Sequence, residues 1–241
     1  MKPKYSATIQ YVYRLFNSGP AMDPKRYILY GEETIAHALK AGRVEHIYCA
    51  SHCPFEFGNC TKIGSEAIQY ITRGKENSLI AVCVKKALKP LPLSDARRVL
   101  ILDHVSYRIN IGIILRLAFA LGVDQVYKAE DDGLNYEVQT VVKQSGGASL
   151  YMPIIAADLP KTIKELKKNG FYCIGTSLES SLPLSKIPET EKMAVILGNE
   201  ANGVTSEVLA ETDVNCRIEM ENYDSLNVGI AGAIILSRFC R

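Results

Sequence analysis

The chain has 241 residues, is 47% hydrophobic, and carries 28 Lys and Arg against 26 Asp and Glu, a formal net charge of +2. That length and apolar content can fill a large core with a smaller partner domain, which excludes a disordered or low-complexity protein. So small a charge excludes nucleic-acid binding by global electrostatics, leaving only a local basic surface for any polyanion. No apolar run approaches the roughly 18 residues that span a bilayer, and the start Met-Lys-Pro-Lys-Tyr lacks a signal-peptide core. A cytoplasmic protein without a membrane partner is expected.

In chain order, Ile9, Val12, Tyr13 and Phe16 have helical spacing over Thr8 to Asn17, and Gly19-Pro20 breaks the pattern. Tyr27 to Tyr30 reads as a strand, Glu32 to Ala41 as a helix closed by Gly42, and Val44 to Ala50 as a second strand. Ser78 to Val84 closes this first unit, with no element assigned from Ser51 to Asn77. Lys85 to Ala96, with Pro90 and Pro92, is a linker. Two domains are therefore expected, residues 1–90 and 91–241.

Beyond the linker, strands alternate with helices. Arg98 to Asp103 is a strand, Ile111 to Leu121 a helix, and Gln125 to Lys128 a strand. Glu137 to Ser145 leads to the small-residue break Gly146-Gly147-Ala148 and a strand from Leu150 to Ile155. Asp158 caps a helix that starts near Pro160 and ends at Gly170. Phe171 to Gly175, Ala194 to Leu197 and Asn215 to Met220 complete a mostly parallel sheet, and Leu226 to Leu236 forms a terminal helix. The fold class is α/β, with helices on both faces of the sheet.

Seven cysteines, an odd number, suit reduced thiols better than a disulfide framework. His46, Cys49, His52, Cys53 and Cys60 cluster in sequence but lack a Cys-x2-Cys knuckle, so no metal site is assigned. Cys83, Cys173 and Cys216 lie in apolar runs and read as core residues. No Gly-x-Gly-x-x-Gly follows a strand, and Gly198 to Gly203 lacks the Lys-Ser/Thr of a phosphate loop. Phosphate-bearing cofactors are not indicated, and the lack of a nucleophile elbow argues against an α/β hydrolase.

Three segments carry chemistry. The apolar run Met193 to Leu197 reads as a strand buried on both faces, and it ends in Gly198-Asn199-Glu200, at the edge where open α/β sheets bind ligands. Taken alone, that loop could equally be a glycine turn with a solvated Glu. The helix following Asn110 is apolar nearly all round except at Gly112 and Arg116, so it should be buried on most sides. Arg116 must then face a carboxylate such as Glu200, a cavity or a subunit boundary, because an unpaired buried charge costs several kcal/mol. The third segment is Ile218, Met220, Ser225, Leu226 and Asn227, opening a helix that carries Gly229, Ala231, Gly232 and Ala233.

Together these segments resemble the motifs of the SpoU (TrmH-type) RNA ribose 2′-O-methyltransferases of the SPOUT superfamily. Asn110, Gly112 and Arg116 match the first motif, Leu197 to Glu200 with Gly203 the second, and Ile218, Met220, Ser225, Leu226 and Asn227 the third. The close resemblance covers about residues 97 to 241, and the N-terminal part is loosely similar. The chain departs from the pattern at Glu219, where the family usually has proline, and in a loop to Ser225 that is one residue short. Arg108-Ile109 stands where Asp-Pro often precedes the motif Asn.

The resemblance implies a C-terminal SPOUT domain threaded as a trefoil knot, preceded by a small α/β substrate-binding domain. It implies S-adenosylmethionine as cofactor, held among Thr176, Leu197, Gly198, Ile218, Met220, Ser225 and Leu226. It implies catalysis by Arg116, with Asn110 and Glu200 orienting it and Asn227 and Ser225 securing the loop before the last helix. RNA, ribosomal slightly ahead of transfer, is the implied substrate, and a homodimer the implied assembly. The basic residues Lys2, Lys4, Arg97, Arg98 and Lys143 are ordinarily solvated, and Arg14, Lys25, Arg26 and Arg108 are the chosen phosphate contacts. The competing reading is a catalytically silent RNA-binding relative whose altered Glu219 loop no longer admits cofactor.

Overall fold

The computed structural model describes residues 5–179, 181–222 and 225–240, apart from the side chain of Pro20. Lys2 and Lys4 lie outside these residues. The chain divides into two compact units, one holding the described residues up to Lys86 together with Glu137–Leu150, the other holding Ala87–Tyr136 and the described residues from Tyr151 onward.

The first unit contains α1 (Ala7–Ser18), β1 (Arg26–Tyr30), α2 (Glu32–Lys40), β2 (Val44–Cys49), β3 (Cys60–Lys62), α3 (Ser65–Thr72) and β4 (Leu79–Val84). Its sheet runs β1-β4-β2-β3, and the first two pairings are antiparallel while β2 and β3 are parallel. Alternating side chains explain why both faces are covered. Ile28, Ile80 and Val82 join Val12 and Leu15 of α1 and Ile68 and Ile71 of α3. Leu29, Ala81 and Cys83 point the other way, onto Ile35 and Ala38 of α2.

Two elements lie between Ser51 and Asn77. β3 is only three residues long, and α3 spans eight, closed by Arg73 in the left-handed conformation at φ 53°. The segment Glu137–Leu150, placed beyond the linker by sequence order, packs with the first unit. It contains α5 (Gln139–Gln144) and a 3-10 turn, Ala148–Leu150. Val142 and Leu150 sit in the same apolar cluster as Tyr27 and Leu29, and the Gln139 amide pairs with both the N–H and the C=O of Tyr30 at 2.9 Å. Leu150 is therefore a core residue of this unit rather than the start of a strand.

The second unit contains β5 (Arg98–Asp103), α4 (Arg108–Ala120), β6 (Gln125–Ala129), β7 (Ile154–Ala157), α6 (Leu159–Lys168) and β8 (Tyr172–Thr176). It continues through β9 (Leu182–Pro183), β10 (Met193–Gly198), α7 (Ser206–Leu209), β11 (Val214–Arg217) and α8 (Val228–Phe239). The seven strands run β7-β6-β5-β10-β8-β11-β9, and every pairing is parallel. Asp158 caps α6 by accepting from the Lys161 N–H at 3.1 Å. One sheet face packs Ile163 and Leu166 of α6 against Val99, Ile101 and Ile196. On the other, α4 and α8 pack together, and a Cβ at Gly232 would lie 2.9 Å from Leu197 and 3.6 Å from Ile114.

In the expected strand from Asn215 to Met220, only the part up to Arg217 is strand, so Ile218 and Met220 lie on the loop beyond it. The small residues of α8 are consumed inside the unit: Gly229 and Gly232 are buried, whereas Ile230 and Ile234 face outward. Among the described residues no helix is long and apolar enough to cross a membrane. All seven cysteines are free thiols, and Cys49 Sγ lies 3.6 Å from Cys60 Sγ.

Arg43 tests the logic of the first unit. It is 2% exposed, donates to the carbonyls of Lys86 and Leu150 at 2.6 and 2.9 Å, and pairs with Glu137 at 3.1 Å. Arg43→Met removes the cation and leaves a carboxylate and two carbonyls behind. The expected loss is about 3–5 kcal/mol of stability, read from the urea midpoint; a loss below about 1 kcal/mol would reduce Arg43 to a surface-like contact.

Candidate active site

Parallel pairing sets the site. Gly198, the last residue of β10, is in register with Asp103, the last residue of β5, and β8 on the other side of β10 ends at Thr176. The loops after these strands consequently leave the sheet at one edge, where a parallel α/β sheet gathers its ligand groups. The ends of β8, β10 and β11 with the start of α8 surround a cavity of about 450 Å³, a size suited to a small molecule. Thr176, Leu197, Gly198, Ile218, Met220, Ser225 and Leu226 all line it, as do Glu200 and Asn227. Leu178 and Ile235, which sequence reasoning did not single out, add to its apolar wall with Ala231.

Glu200 ties the three motif segments together. One carboxylate oxygen accepts from the Tyr107 N–H at 3.0 Å and the Asn110 amide at 2.9 Å. The other accepts from Ser106 N–H and Oγ at 3.1 and 3.0 Å. Asn110 Oδ1 in turn accepts from Asn227 Nδ2 at 3.0 Å, and Asn227 Oδ1 caps α8 by accepting from Gly229 N at 2.9 Å. Burial alone would raise the Glu200 pKa. The Asn110 amide and the backbone N–H groups outweigh it, so the carboxyl titrates below its ordinary value. Glu200 is thus a fixed anion with both oxygens engaged, which makes it a poor proton acceptor.

Arg116 stands apart from this network. It is exposed and makes no hydrogen bond or ion pair among the described residues, while Asn110, on another face of α4, is buried. Of the settings open to Arg116, the pairing with Glu200 is not formed, and both Glu200 oxygens are taken by donors at the start of the helix. α4 is also less enclosed than its composition suggests: Ile109 and Phe119 are about half exposed. Of the chosen phosphate contacts, Arg14, Lys25 and Arg108 are exposed. Arg26 is committed to Glu45 by two hydrogen bonds and to Asp23 at 3.1 Å, so two carboxylates already hold its charge.

Gly198 serves the protein's own backbone. A Cβ there would lie 2.2 Å from the Gly203 carbonyl carbon and the Val204 nitrogen, so the loop could not fold back on its strand. Gly203 closes the same loop at φ 71°, exchanging hydrogen bonds with Asn199 at 2.9 Å in both directions. Asn199 also donates to the His104 carbonyl at 2.9 Å, joining this loop to the one after β5.

His104 adopts φ 56° and bridges two carboxylates, with Nδ1 2.7 Å from buried Asp103 and Nε2 3.0 Å from Asp131. The bond to Asp103 raises the His104 pKa above 6.5, burial opposes it, and Asp131 adds to the rise. Because the folded state binds this proton more tightly than the unfolded chain, the contribution to stability is full below 6.5 and fades as pH rises through the higher folded value. His104→Asn, which tolerates the backbone conformation, is expected to flatten the fall of the urea midpoint across that range. Parallel profiles for the two proteins would remove His104 from the pH response.

Residues 97–237 match the model of the SpoU rRNA methylase family. The chain is 30% identical over 218 residues, 87% of its length and 86% of the relative's, to the 23S rRNA (guanosine(2553)-2′-O)-methyltransferase RlmP of Bacillus subtilis. It is 35% identical over 140 residues, 57% of this chain and 56% of the other, to a putative TrmH family tRNA/rRNA methyltransferase of Staphylococcus aureus. Its fold is similar to that of the SpoU methyltransferase AviRb from Streptomyces viridochromogenes in complex with AdoMet, with a TM-score of 0.81, 18% identity, and coverage of 97% of this chain and 96% of that one. With the residues of the second and third motifs lining one cavity and the family model spanning more than half its length, the chain belongs to the SpoU rRNA methylase family.

Proposed function

We propose that this protein transfers a methyl group from S-adenosylmethionine to a ribose 2′-hydroxyl of RNA, with ribosomal RNA the favoured substrate. The observation that carries the reading is the cavity of about 450 Å³ whose wall contains all seven residues singled out for the cofactor. Likeness to RlmP over 87% of the chain supports the substrate class. Apolar walls from Leu197, Ile218, Met220 and Leu226, with polar groups at Thr176 and Ser225, fit an adenosine bearing no phosphate. When bound, the cofactor supplies a methyl group on a positively charged sulfur, open to in-line displacement.

The chain's own residues supply position and charge. Asn110, Glu200 and Asn227 are positioning residues that hold the N-terminus of α4 and the cap of α8 in one hydrogen-bonded frame. Arg116 is a poor proton acceptor, so its role is to bind an RNA phosphate and polarise the 2′-hydroxyl. Arg14, Lys25 and Arg108 supply further phosphate contacts, and the N-terminal unit serves as the substrate-binding domain, with its boundary in the linker near residue 90.

The same reading includes a homodimer. Ile109, Phe119, Ile230 and Ile234 are exposed apolar side chains on α4 and α8 that a second copy would cover. Arg116, without a partner among the described residues, shares the outer face of α4. A second copy against this face would place the guanidinium at a subunit boundary and complete the site. The reading further includes a cytoplasmic location and a trefoil knot in the C-terminal segments, supported by β10 lying between β5 and β8 with β11 beyond β8.

The direct test is methyl transfer from labelled S-adenosylmethionine to ribosomal RNA, followed by mapping of 2′-O-methyl ribose. Arg116→Ala is expected to lower turnover by about 10²- to 10³-fold with cofactor affinity retained. Cofactor binding without transfer to any RNA would favour the silent relative, and near-normal turnover of the variant would make Arg116 merely structural. Separately, Ile234→Asp should convert a dimer to a monomer in sedimentation; a wild-type monomer would remove the dimer from the reading.

A further inference from the structure

We propose that Tyr107 is the stacking platform for the base of the nucleotide presented to the cavity, an inference that rests on the methyl-transfer reading above. Tyr107 is 66% exposed, more than any other large apolar or aromatic residue among the described residues. The side chain makes no hydrogen bond or ring contact there, so nothing in the fold accounts for an aromatic at this position. Its backbone is nevertheless held firmly. The Tyr107 N–H donates at 3.0 Å to Glu200, a residue of the cavity wall, and the preceding Ser106 donates to Glu200 twice. The ring thus projects from a point one hydrogen bond away from the wall.

The local charge says what kind of group it receives. The N-terminus of a helix ordinarily attracts an anion. Here the carboxylate of Glu200 already occupies the N–H groups of Ser106 and Tyr107, so a second anion at that point is repelled. A neutral, flat group is not. An unpaired nucleotide whose 2′-hydroxyl enters a protein site loses stacking against its neighbours, and an aromatic side chain replaces it whatever the base. A tyrosine loses few rotamers on ordering, and exposed Arg108 beside it supplies a cation for a flanking phosphate.

The test compares the full-length protein with Tyr107→Ala, Tyr107→Phe and Tyr107→Trp. The substrate is a hairpin RNA spanning the nucleotide that the wild type methylates, with 2-aminopurine at that position for the fluorescence arm. The Ala variant is expected to raise KM for RNA by about 10- to 100-fold, with S-adenosylmethionine affinity and sedimentation unchanged. Phe and Trp should restore KM, and 2-aminopurine fluorescence should be quenched on binding the wild type and not the Ala variant. Wild-type KM in the Ala variant, absence of quenching by the wild type, or a KM defect accompanied by loss of the dimer would overturn the stacking role. Absence of turnover by the wild type on any RNA would instead overturn the methyl-transfer reading itself, and this inference with it.

Discussion

The carboxylate of Glu200 is the contact on which the site depends. It sits at the end of a strand buried along its whole length and receives four donors from the start of α4. An anion at a helix N-terminus is favoured by the unpaired N–H groups and the helix dipole. The same contact fixes the direction in which α4 leaves the sheet edge. Through Asn110 and Asn227 it reaches the cap of α8, so three loops far apart in sequence form one rigid frame.

That frame separates holding from reacting. A carboxylate already engaged at both oxygens and titrating below its ordinary value gains little by taking a proton, which suits it to orientation. Arg116, unpaired among the described residues, lies on a different face of the same helix, among apolar residues turned outward. A group that must meet RNA phosphate benefits from being unpaired before the substrate arrives, because no internal partner has to be displaced. Arg26 shows the opposite arrangement, its guanidinium neutralised by Glu45 and Asp23.

The glycines of the second motif do structural work first. Gly198 allows the returning strand of its loop to lie against its own backbone, and only then can Leu197 and Glu200 face the cavity. On α8, Gly229 and Gly232 let the helix settle onto Ile113, Ile114 and Leu197. Small residues that resemble an intersubunit surface in the sequence are thereby used within one unit, and the larger Ile230 and Ile234 are left facing out.

Much of this was legible in the amino-acid sequence by itself. The apolar runs of β5 and β10, the Asp158 cap and the terminal helix follow from periodicity and capping chemistry, which act over a few residues. Of the seven residues the resemblance implied for the cofactor, six belong to the second and third motifs and Thr176 to neither, and all seven line one cavity. What only the tertiary structure decided depends on distant partners. No local signal tells Glu200 to bond Ser106 rather than Arg116, exposes one face of an apolar helix, or returns Val142 and Leu150 to the N-terminal core. Those outcomes are set by which strands pair in parallel and which donors arrive first at a carboxylate, and neither is written in any single stretch of the chain.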